Sequence, residues 1–285
     1  LMLPLDLTDV NEKTLYQVKK KIFNVIWIEN GTMIFPSTLK YIKRYYPNIK
    51  IVSLSEDDMC KKHNQSFWYL LGLKYYDFVF TTKKHNLKCL TKLGAKKISL
   101  FFDSFDGTMH KIYKISDQNR YKFSVSHIGA YEKERSEYLF FLAKNGIKVE
   151  IWGNDWNKCP FKHDNLKIHY SFLYKEKYSK TIYKSKINLN FLRKINDDVI
   201  TSRSLEIPAS GGFMLAERTE AQKKIFKENV EADYFSSKEE LLRKTKFYLN
   251  NENVRKKIET KGYNKCIKSN YSMSAQMSMI LKKIF

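Results

Sequence analysis

Residue types able to contact a nucleotide cluster in one short segment, TSRSLE at residues 201–206. Helical spacing over this segment places Ser202, Arg203 and Glu206 on one face. The first turn of a helix also carries unpaired backbone N–H groups and a partial positive charge, which suit a phosphate. A carboxylate beside them can accept the hydroxyls of a ribose. The segment predicts a ligand-binding helix that begins near Thr201, with an ordinary surface helix carrying an Arg–Glu pair as the alternative.

The residues after this segment support a close approach of backbone to ligand. Gly211 and Gly212 follow the predicted helix, and glycine both ends helices and leaves room for a bound group. Pro208 falls inside the predicted helix, which indicates that the helix is kinked or begins later than Thr201.

Strand-like runs alternate with helical patterns along most of the chain. In the first part, strands are predicted at residues 24–30, 49–55, 77–82 and 96–102. The alternation is lost over 103–121, and further strands follow at 122–131, 148–153, 166–169, 187–191 and 213–217. Strand–helix–strand units in series predict parallel sheets covered by helices. We therefore predict an α/β protein of two Rossmann-like, doubly wound domains facing a cleft, with ligands at the carboxyl ends of the strands.

The predicted domains cover residues 1–118 and 119–270, and a final helix, 271–285, is expected to pack back across them. The first domain has about four predicted strands and the second five or six. The amino-terminal domain is therefore expected to be short or truncated.

Composition indicates a globular protein, since 43% of the residues are hydrophobic and 15% aromatic. No apolar run approaches the roughly 18 residues that span a bilayer, so a cytoplasmic protein is expected. The cysteines, at positions 60, 89, 159 and 266, form no C-x-x-C pair, which argues against a zinc knuckle and a disulfide framework and favours a reduced compartment. The histidines show no metal-ligand spacing, so no metal site is expected.

The formal net charge is +22, but the ratio of lysine to arginine argues against nucleic acid as the partner. The 52 basic residues comprise 44 lysines and only 8 arginines, whereas base and phosphate recognition favours the arginine fork. The charge is also spread along the chain. A diffuse positive field of this kind favours nucleotide substrates and a peripheral contact with an anionic membrane, at the inner membrane face if the protein is cytoplasmic.

Several ordered blocks resemble the CgeB-like (spore maturation type) glycosyltransferases, which are GT-B enzymes. The blocks are LGAKKISLFFDSFDGTMH (93–110), HIGAYEKERSEYLFFLAKNGIKVEIWGNDW (127–156) and RSLEIPASGGFMLAERTE (203–220). The resemblance spans roughly residues 24–285. It implies an acceptor-side amino-terminal domain and a carboxyl-terminal domain that binds a nucleotide-diphosphate sugar, with no other cofactor.

The resemblance also implies which residues bind the donor. Glu206 matches the acidic residue used on the ribose, and Asp198 stands at the second acidic position, eight residues earlier, where related families have a glutamate. The other expected contacts are Gly129, Tyr131, Arg135, Asn190, Thr201, Ser202 and Arg203. Trp156 is expected either to pack on a base or to lie in the core.

Sugar transfer requires stabilisation of the departing diphosphate and, where the acceptor hydroxyl is deprotonated, a base. Arg203, the helix that begins near Thr201 and Lys194 are the candidates for the first role. For the base, Asp57, Asp58 and His63 form a local concentration in EDDMCKKH, although the aspartates could instead cap a helix. Asp103 and Asp106 are weaker options for the base.

These residues predict a glycosyltransferase that uses a UDP- or GDP-linked sugar, without a metal, on a glycan, lipid-linked or protein acceptor. Whether the anomeric configuration is retained or inverted stays open. The alternatives are a non-catalytic nucleotide-sugar or glycan-binding protein on the same fold, and a protein that binds or glycosylates nucleic acid. A dinucleotide-dependent oxidoreductase is set aside, because no G-x-G-x-x-G follows a predicted strand.

Overall fold

A computed structural model describes residues 2–113, 115 and 120–285. The chain divides into two compact units. The first comprises the residues up to Phe102 together with Met277–Phe285, and the second comprises Asp103–Gln276. The predicted domain boundary at residue 118 lies outside the described residues.

The first unit is a four-stranded parallel sheet with helices packed on it. Its elements are α1 (Val10–Lys20), β1 (Val25–Glu29), α2 (Pro36–Tyr45), β2 (Lys50–Ser55), α3 (Phe67–Gly72), β3 (Phe78–Thr81), α4 (Lys84–Lys92) and β4 (Ile98–Leu100). The strand order is β1-β2-β3-β4, and each neighbouring pair is parallel. All four strands predicted from the sequence are present.

The core of the first unit follows the apolar periodicity of its elements. Leu39 and Ile42 of α2, three residues apart, are fully buried and pack in one cluster with Ile51 of β2. Three-residue spacing places side chains on one helical face, so α2 turns a single apolar face to the sheet. Pro36 begins this helix, where its missing N–H costs nothing.

The second unit is a six-stranded parallel sheet in the order β10-β9-β8-β5-β6-β7. Its strands are β5 (Phe123–Ile128), β6 (Val149–Trp152), β7 (Leu166–Ile168), β8 (Ser185–Asn190), β9 (Met214–Glu217) and β10 (Asp233–Phe235). Its helices are α5 (Lys133–Lys144), α6 (Lys175–Tyr183), α7 (Arg203–Ala209), α8 (Glu220–Ile225), α9 (Lys238–Asn250) and α10 (Glu252–Lys268), and α11 (Met273–Ile284) follows. From Met277 onwards α11 belongs to the first unit.

The predicted fold class is confirmed, since both sheets are parallel and alternate with helices. β10 was not predicted, because its three residues are too few to show a periodic pattern. The strand order reverses between β8 and β5, which are neighbours although β6 and β7 lie between them in sequence. Such a reversal opens a crevice at the carboxyl ends of the strands, where ligands bind in folds of this kind.

The described part of the chain contains no helix that is both long and apolar enough to cross a membrane.

One prediction about cysteine is wrong, because Cys60 and Cys89 form a disulfide. Their Cα atoms lie 6.3 Å apart although 29 positions separate them in the sequence. Cys60 lies in the loop after β2 and Cys89 on α4, after β3, and these strands are neighbours in the sheet. Sequence spacing carries no information about that proximity. The reduced compartment was inferred from cysteines that were expected to stay unpaired, and this pair does not support that inference.

We expect Cys89→Ser to lower the free energy of unfolding by about 3–4 kcal/mol, because a cross-link of this separation removes that much loop-closure entropy from the unfolded chain. Urea denaturation of the oxidised protein measures the change. Cys159→Ser, which alters a cysteine with a free thiol, is the control and should have a smaller effect. Equal stabilities of wild type and Cys89→Ser would contradict the expectation.

Candidate functional site

Two arginines and a histidine gather around the carboxyl end of β5. Arg135 lies on α5, Arg203 begins α7, and His127 is the penultimate residue of β5. Among the described residues, the buried Nε atoms of both arginines and the buried Nε2 of His127 have no hydrogen-bond partner. Buried polar atoms are normally paired. Three unpaired nitrogens in one region therefore mark a place where a bound group could supply the partner.

The two arginines differ in how their charge is balanced. Arg135 donates to the backbone oxygen of Ala130, and its Nη2 lies 3.0 Å from Glu132 Oε1. Arg203 forms no ion pair in the described part of the chain, and it lines a small pocket beside Tyr178. Burial lowers the pKa of Arg135, and the positive charge of Arg203 lowers it further. The negative charges of Glu132 and Glu217 offset part of the positive charge that the two arginines concentrate here.

His127 is buried and neutral. Burial, followed by the charges of Arg135 and Arg203, holds its pKa well below the usual range. Its Nδ1 lies 3.2 Å from the backbone oxygen of Leu189. A carbonyl oxygen can only accept, so Nδ1 carries the proton and Nε2 presents a lone pair.

Gly129 allows a close approach to these groups. A Cβ atom at this position would lie 2.8 Å from His127 Nε2 and 3.5 Å from Arg135 Nη1. The indole of Trp156 donates to the Gly129 oxygen at 2.7 Å, and the backbone N–H of Tyr131 donates to Asn154 at 2.8 Å. Trp156 is buried, so it is a core residue that fixes the turn at Gly129 and not a platform for a base.

Glu206 has two partners that the sequence analysis missed. The hydroxyl of Tyr178 donates to its Oε2 at 2.6 Å, and His110 Nε2 lies 3.8 Å from its Oε1. Burial raises the pKa of Tyr178 well above its usual value, and the charge of Glu206 raises it further, so the phenol remains a donor. His110 belongs to the segment that lost the strand–helix rhythm. No sequence pattern therefore indicated that His110 lies near Glu206.

A buried polar network positions the start of α7. The amide nitrogen of Asn190 donates to Ser204 Oγ at 3.0 Å, and Ser204 Oγ donates to Gln222 at 3.0 Å. Thr201 also contacts Asn190, at 3.5 Å, and its N–H donates to Ser204 Oγ. Asn190 is fully buried. Through these contacts it orients the segment that carries Arg203.

The helix predicted to begin near Thr201 starts at Arg203, and Pro208 lies inside it. Ser202 precedes it, and its hydroxyl donates to Asp103 at 3.4 Å. Asp103, a possible base from the sequence, thus lies at the start of α7, and its role as a base stays a prediction.

Asp198 lies in different surroundings from Glu206. It lines a pocket with Lys194, Glu217 and Arg218, and Glu206 is not part of that lining. Lys194 forms an ion pair with Glu134. The structure therefore brings Gly129 and Arg135 to the charged cluster, and leaves Asp198 in the neighbouring pocket. Lys194 lines that pocket and also a small one beside Arg135.

The base candidates of the first unit are also separated. Asp58 is buried and its Oδ2 lies 2.7 Å from Nε2 of His85, a residue the sequence analysis missed. Asp57 is half-buried, and its N–H donates to Ser55 Oγ at 3.2 Å. His63 is exposed. The position of His85 could have identified it. His85 comes just after the predicted strand 77–82, which neighbours the strand that precedes Asp58.

No group of three or more His, Cys, Asp or Glu side chains positioned to hold a metal ion occurs within residues 2–113, 115 and 120–285.

Residues 135–282 match the family model described as glycosyl transferase-like. The structure is similar to that of Alr3699/HepE from Anabaena, solved with UDP and glucose, with a TM-score of 0.65 and 9% identity over 96% of this chain and 80% of that one. Sucrose-phosphate synthase from Thermosynechococcus elongatus has a TM-score of 0.65 and 10% identity, over 98% and 78% of the two chains. A glycosyltransferase from Rickettsia africae has a TM-score of 0.63 and 12% identity, over 99% and 83%.

At these identities the likeness shows the fold, which is that of the GT-B glycosyltransferases. No functionally curated protein matches the chain.

Tyr178→Phe should lower the free energy of unfolding by about 1.5–3 kcal/mol, because it removes a hydrogen bond to the partly buried Glu206 carboxylate. Urea denaturation measures the difference. Tyr170→Phe is a matched control, since the Tyr170 side chain is 68% exposed and its change should stay within about 0.5 kcal/mol. If both variants were equally stable, the Tyr178–Glu206 contact would contribute nothing to the fold.

Proposed function

This chain belongs to the glycosyl transferase-like family, and we propose on that basis that it transfers a sugar from a nucleotide diphosphate to a hydroxyl acceptor. The charged cluster of Arg135, Arg203 and His127 beside Gly129 is the proposed donor site.

The observation that carries the proposal is the guanidinium of Arg203, whose buried Nε has no hydrogen-bond partner and which forms no ion pair within the described residues. A partly buried positive charge without a carboxylate partner is costly, and native proteins normally pair such groups. The diphosphate of a nucleotide sugar supplies the missing negative charge. Arginine suits this ligand because its planar fork matches two phosphate oxygens.

Arg135 and Arg203 would act on the leaving group. Negative charge grows on the diphosphate as the bond from the anomeric carbon to the phosphate oxygen breaks. Donors held in position for that charge stabilise the transition state without reorganising, and loss of one costs about 3 kcal/mol. The two arginines meet this need, so the proposed step requires no metal ion.

His127 and Glu206 suit the hydroxyls of the donor. The lone pair at His127 Nε2 can accept a hydrogen bond from a hydroxyl and repels a phosphate oxygen. Glu206 keeps one carboxylate oxygen on Tyr178, and the other, Oε1, has His110 as its neighbour at 3.8 Å. A ribose hydroxyl can donate to Oε1. We assign the ribose to Glu206 and a sugar or ribose hydroxyl to His127.

We propose UDP as the nucleotide, because HepE was solved with both UDP and UDP-glucose. GDP-linked donors are the alternative. The proposed acceptor is a hydroxyl of a glycan, a lipid-linked sugar or a protein. Membership of the CgeB-like subfamily, a cytoplasmic location and contact with an anionic membrane are further proposals, which rest on the quoted motifs, the composition and the charge of +22.

We expect UDP to bind the wild-type protein, and Arg203→Gln to weaken that binding about 10–100-fold. The reason is that a hydrogen bond to a charged group contributes about 1.5–3 kcal/mol, and each factor of ten in affinity corresponds to about 1.4 kcal/mol. Calorimetric titration with UDP, and with GDP as a comparison, measures both.

Arg243→Gln is the control for charge alone, because Arg243 belongs to the same unit and its side chain is 70% exposed. It should bind UDP as the wild type does. The proposal fails if Arg203→Gln binds UDP as tightly as the control, or if neither UDP nor GDP binds.

A further inference from the structure

A short segment of the second unit, residues 105–112, packs beside α6 and α7. The hydroxyl of Ser179, on α6, donates to the backbone oxygen of Met109 at 2.8 Å. Ile112 lies against Gly211, where a Cβ atom would come within 2.7 Å of the isoleucine side chain. Gly211 has a φ of +73°, so a glycine at this position serves both the turn after α7 and this contact. The segment is therefore anchored on the second unit, to which all of its residues belong.

The segment carries His110, whose ring is held in one orientation. The backbone N–H of Asp106 donates to His110 Nδ1 at 3.0 Å. A ring nitrogen that accepts a hydrogen bond presents a lone pair, so the proton of the neutral imidazole is on Nε2. The ring also packs in a T-shaped arrangement with Tyr178, with 5.6 Å between the ring centroids. His110 Nε2 is therefore a hydrogen-bond donor of fixed direction.

This donor faces the carboxylate of Glu206. His110 Nε2 lies 3.8 Å from Glu206 Oε1. The distance is too long for a direct hydrogen bond, but a hydroxyl oxygen about 2.8 Å from each atom can accept from the imidazole and donate to the carboxylate. The exposed fractions of the two side chains, 13% and 19%, leave both within reach of a ligand. The other carboxylate oxygen, Oε2, already accepts from the Tyr178 hydroxyl.

The pair lies next to the positive charge that is proposed to hold the diphosphate. Arg203 stands three residues before Glu206 on α7, and residues at this spacing are neighbours on a helix surface. Both also act on Tyr178. Burial raises the pKa of its phenol, the charge of Glu206 raises it further, and the charge of Arg203 lowers it. In a nucleoside diphosphate the phosphates are attached to the ring that bears the ribose hydroxyls, so a hydroxyl site beside a phosphate site fits this ligand.

We propose that His110 is a specificity-determining residue of the donor site, and that it binds one ribose hydroxyl together with Glu206. The imidazole donates to the hydroxyl oxygen, and the hydroxyl donates to Glu206 Oε1. A carboxylate alone can only accept, so the histidine adds the donor that a hydroxyl can also use. Sites that bind a hydroxyl in this way reject analogues that lack it, because the polar groups of the site are then left unpaired. This inference rests on the function proposed above.

The alternative role for His110 is structural, since its ring also holds the turn at Asp106. The two roles use different nitrogens, so two substitutions separate them. His110→Asn keeps an amide group near the position of Nδ1, where it can accept from the Asp106 N–H, and has no group at the position of Nε2. His110→Gln places its amide near the position of Nε2 instead.

The test measures binding of UDP, 2′-deoxy-UDP and 3′-deoxy-UDP by calorimetry. The proteins are wild type, His110→Asn, His110→Gln and the control Lys111→Gln, which changes an exposed neighbour. We expect His110→Asn to bind UDP about 3–10-fold more weakly than wild type, the effect of losing one hydrogen bond. His110→Gln and Lys111→Gln should bind UDP as the wild type does. The deoxy analogue that lacks the recognised hydroxyl should bind equally to His110→Asn and to wild type.

A second readout uses the wild type alone, so it does not depend on how any variant folds. Nitrogen NMR of the imidazole should show the proton of His110 on Nε2. The Nε2 signal should move when UDP is added, because the bound hydroxyl accepts from that nitrogen.

The inference is overturned if His110→Asn binds UDP as tightly as Lys111→Gln. It is also overturned if His110→Asn binds UDP and both deoxy analogues more weakly by the same factor, which is the result of a structural role, or if wild-type His110 carries its proton on Nδ1. UDP binding that depends on Arg203 and not on His110 would overturn this inference alone. Absence of both UDP and GDP binding in the wild type would overturn the proposed donor site, and this inference with it.

Discussion

The second unit contains, at the start of α7, a guanidinium that forms no ion pair with a described carboxylate. Arg203 is placed at the start of α7 by the buried network of Asn190, Ser204 and Gln222, and it shares its surroundings with Arg135 and the neutral His127. Keeping such groups together lowers the stability of the ligand-free fold. This arrangement, at the reversal of the strand order, is the reason why we propose an anion-binding site there.

The same constraint explains residues that do not contact a ligand themselves. Gly129 must lack a side chain because a Cβ atom would meet His127, and Trp156 holds the carbonyl of that glycine. Tyr178 holds one oxygen of Glu206, which fixes the direction of the other. The polar residues proposed to bind the ligand lie near the strand ends, and the groups around them keep them in position.

The sequence predicted the parts of the molecule that depend on local pattern. Strands follow apolar periodicity, so the parallel α/β fold was predicted, and among the described strands only the three-residue β10 was missed. The presence of Gly129, Arg135 and Arg203 in one region was also predicted, but through resemblance to a family and not through spacing. The roles assigned to these residues remain proposals.

What the sequence could not show is proximity between distant segments. Cys60 and Cys89, Asp58 and His85, and Tyr178 and Glu206 are each separated by more than 25 positions, and parallel-strand topology brings each pair together. Because Cys60 and Cys89 are close in the fold, the prediction that argued against disulfides was wrong for this pair. Trp156 was a possible platform for a base, because tryptophan often stacks on bases. Its side chain is instead buried and holds the backbone carbonyl of Gly129.

The most direct test of the central claim is a crystal structure of the protein with bound UDP. The account predicts diphosphate oxygens within about 3.2 Å of guanidinium nitrogens of Arg203 and Arg135, close to Gly129, with the ribose at Glu206. Binding of the diphosphate instead in the pocket lined by Asp198, Glu217 and Arg218, with no contact to Arg203, would contradict it.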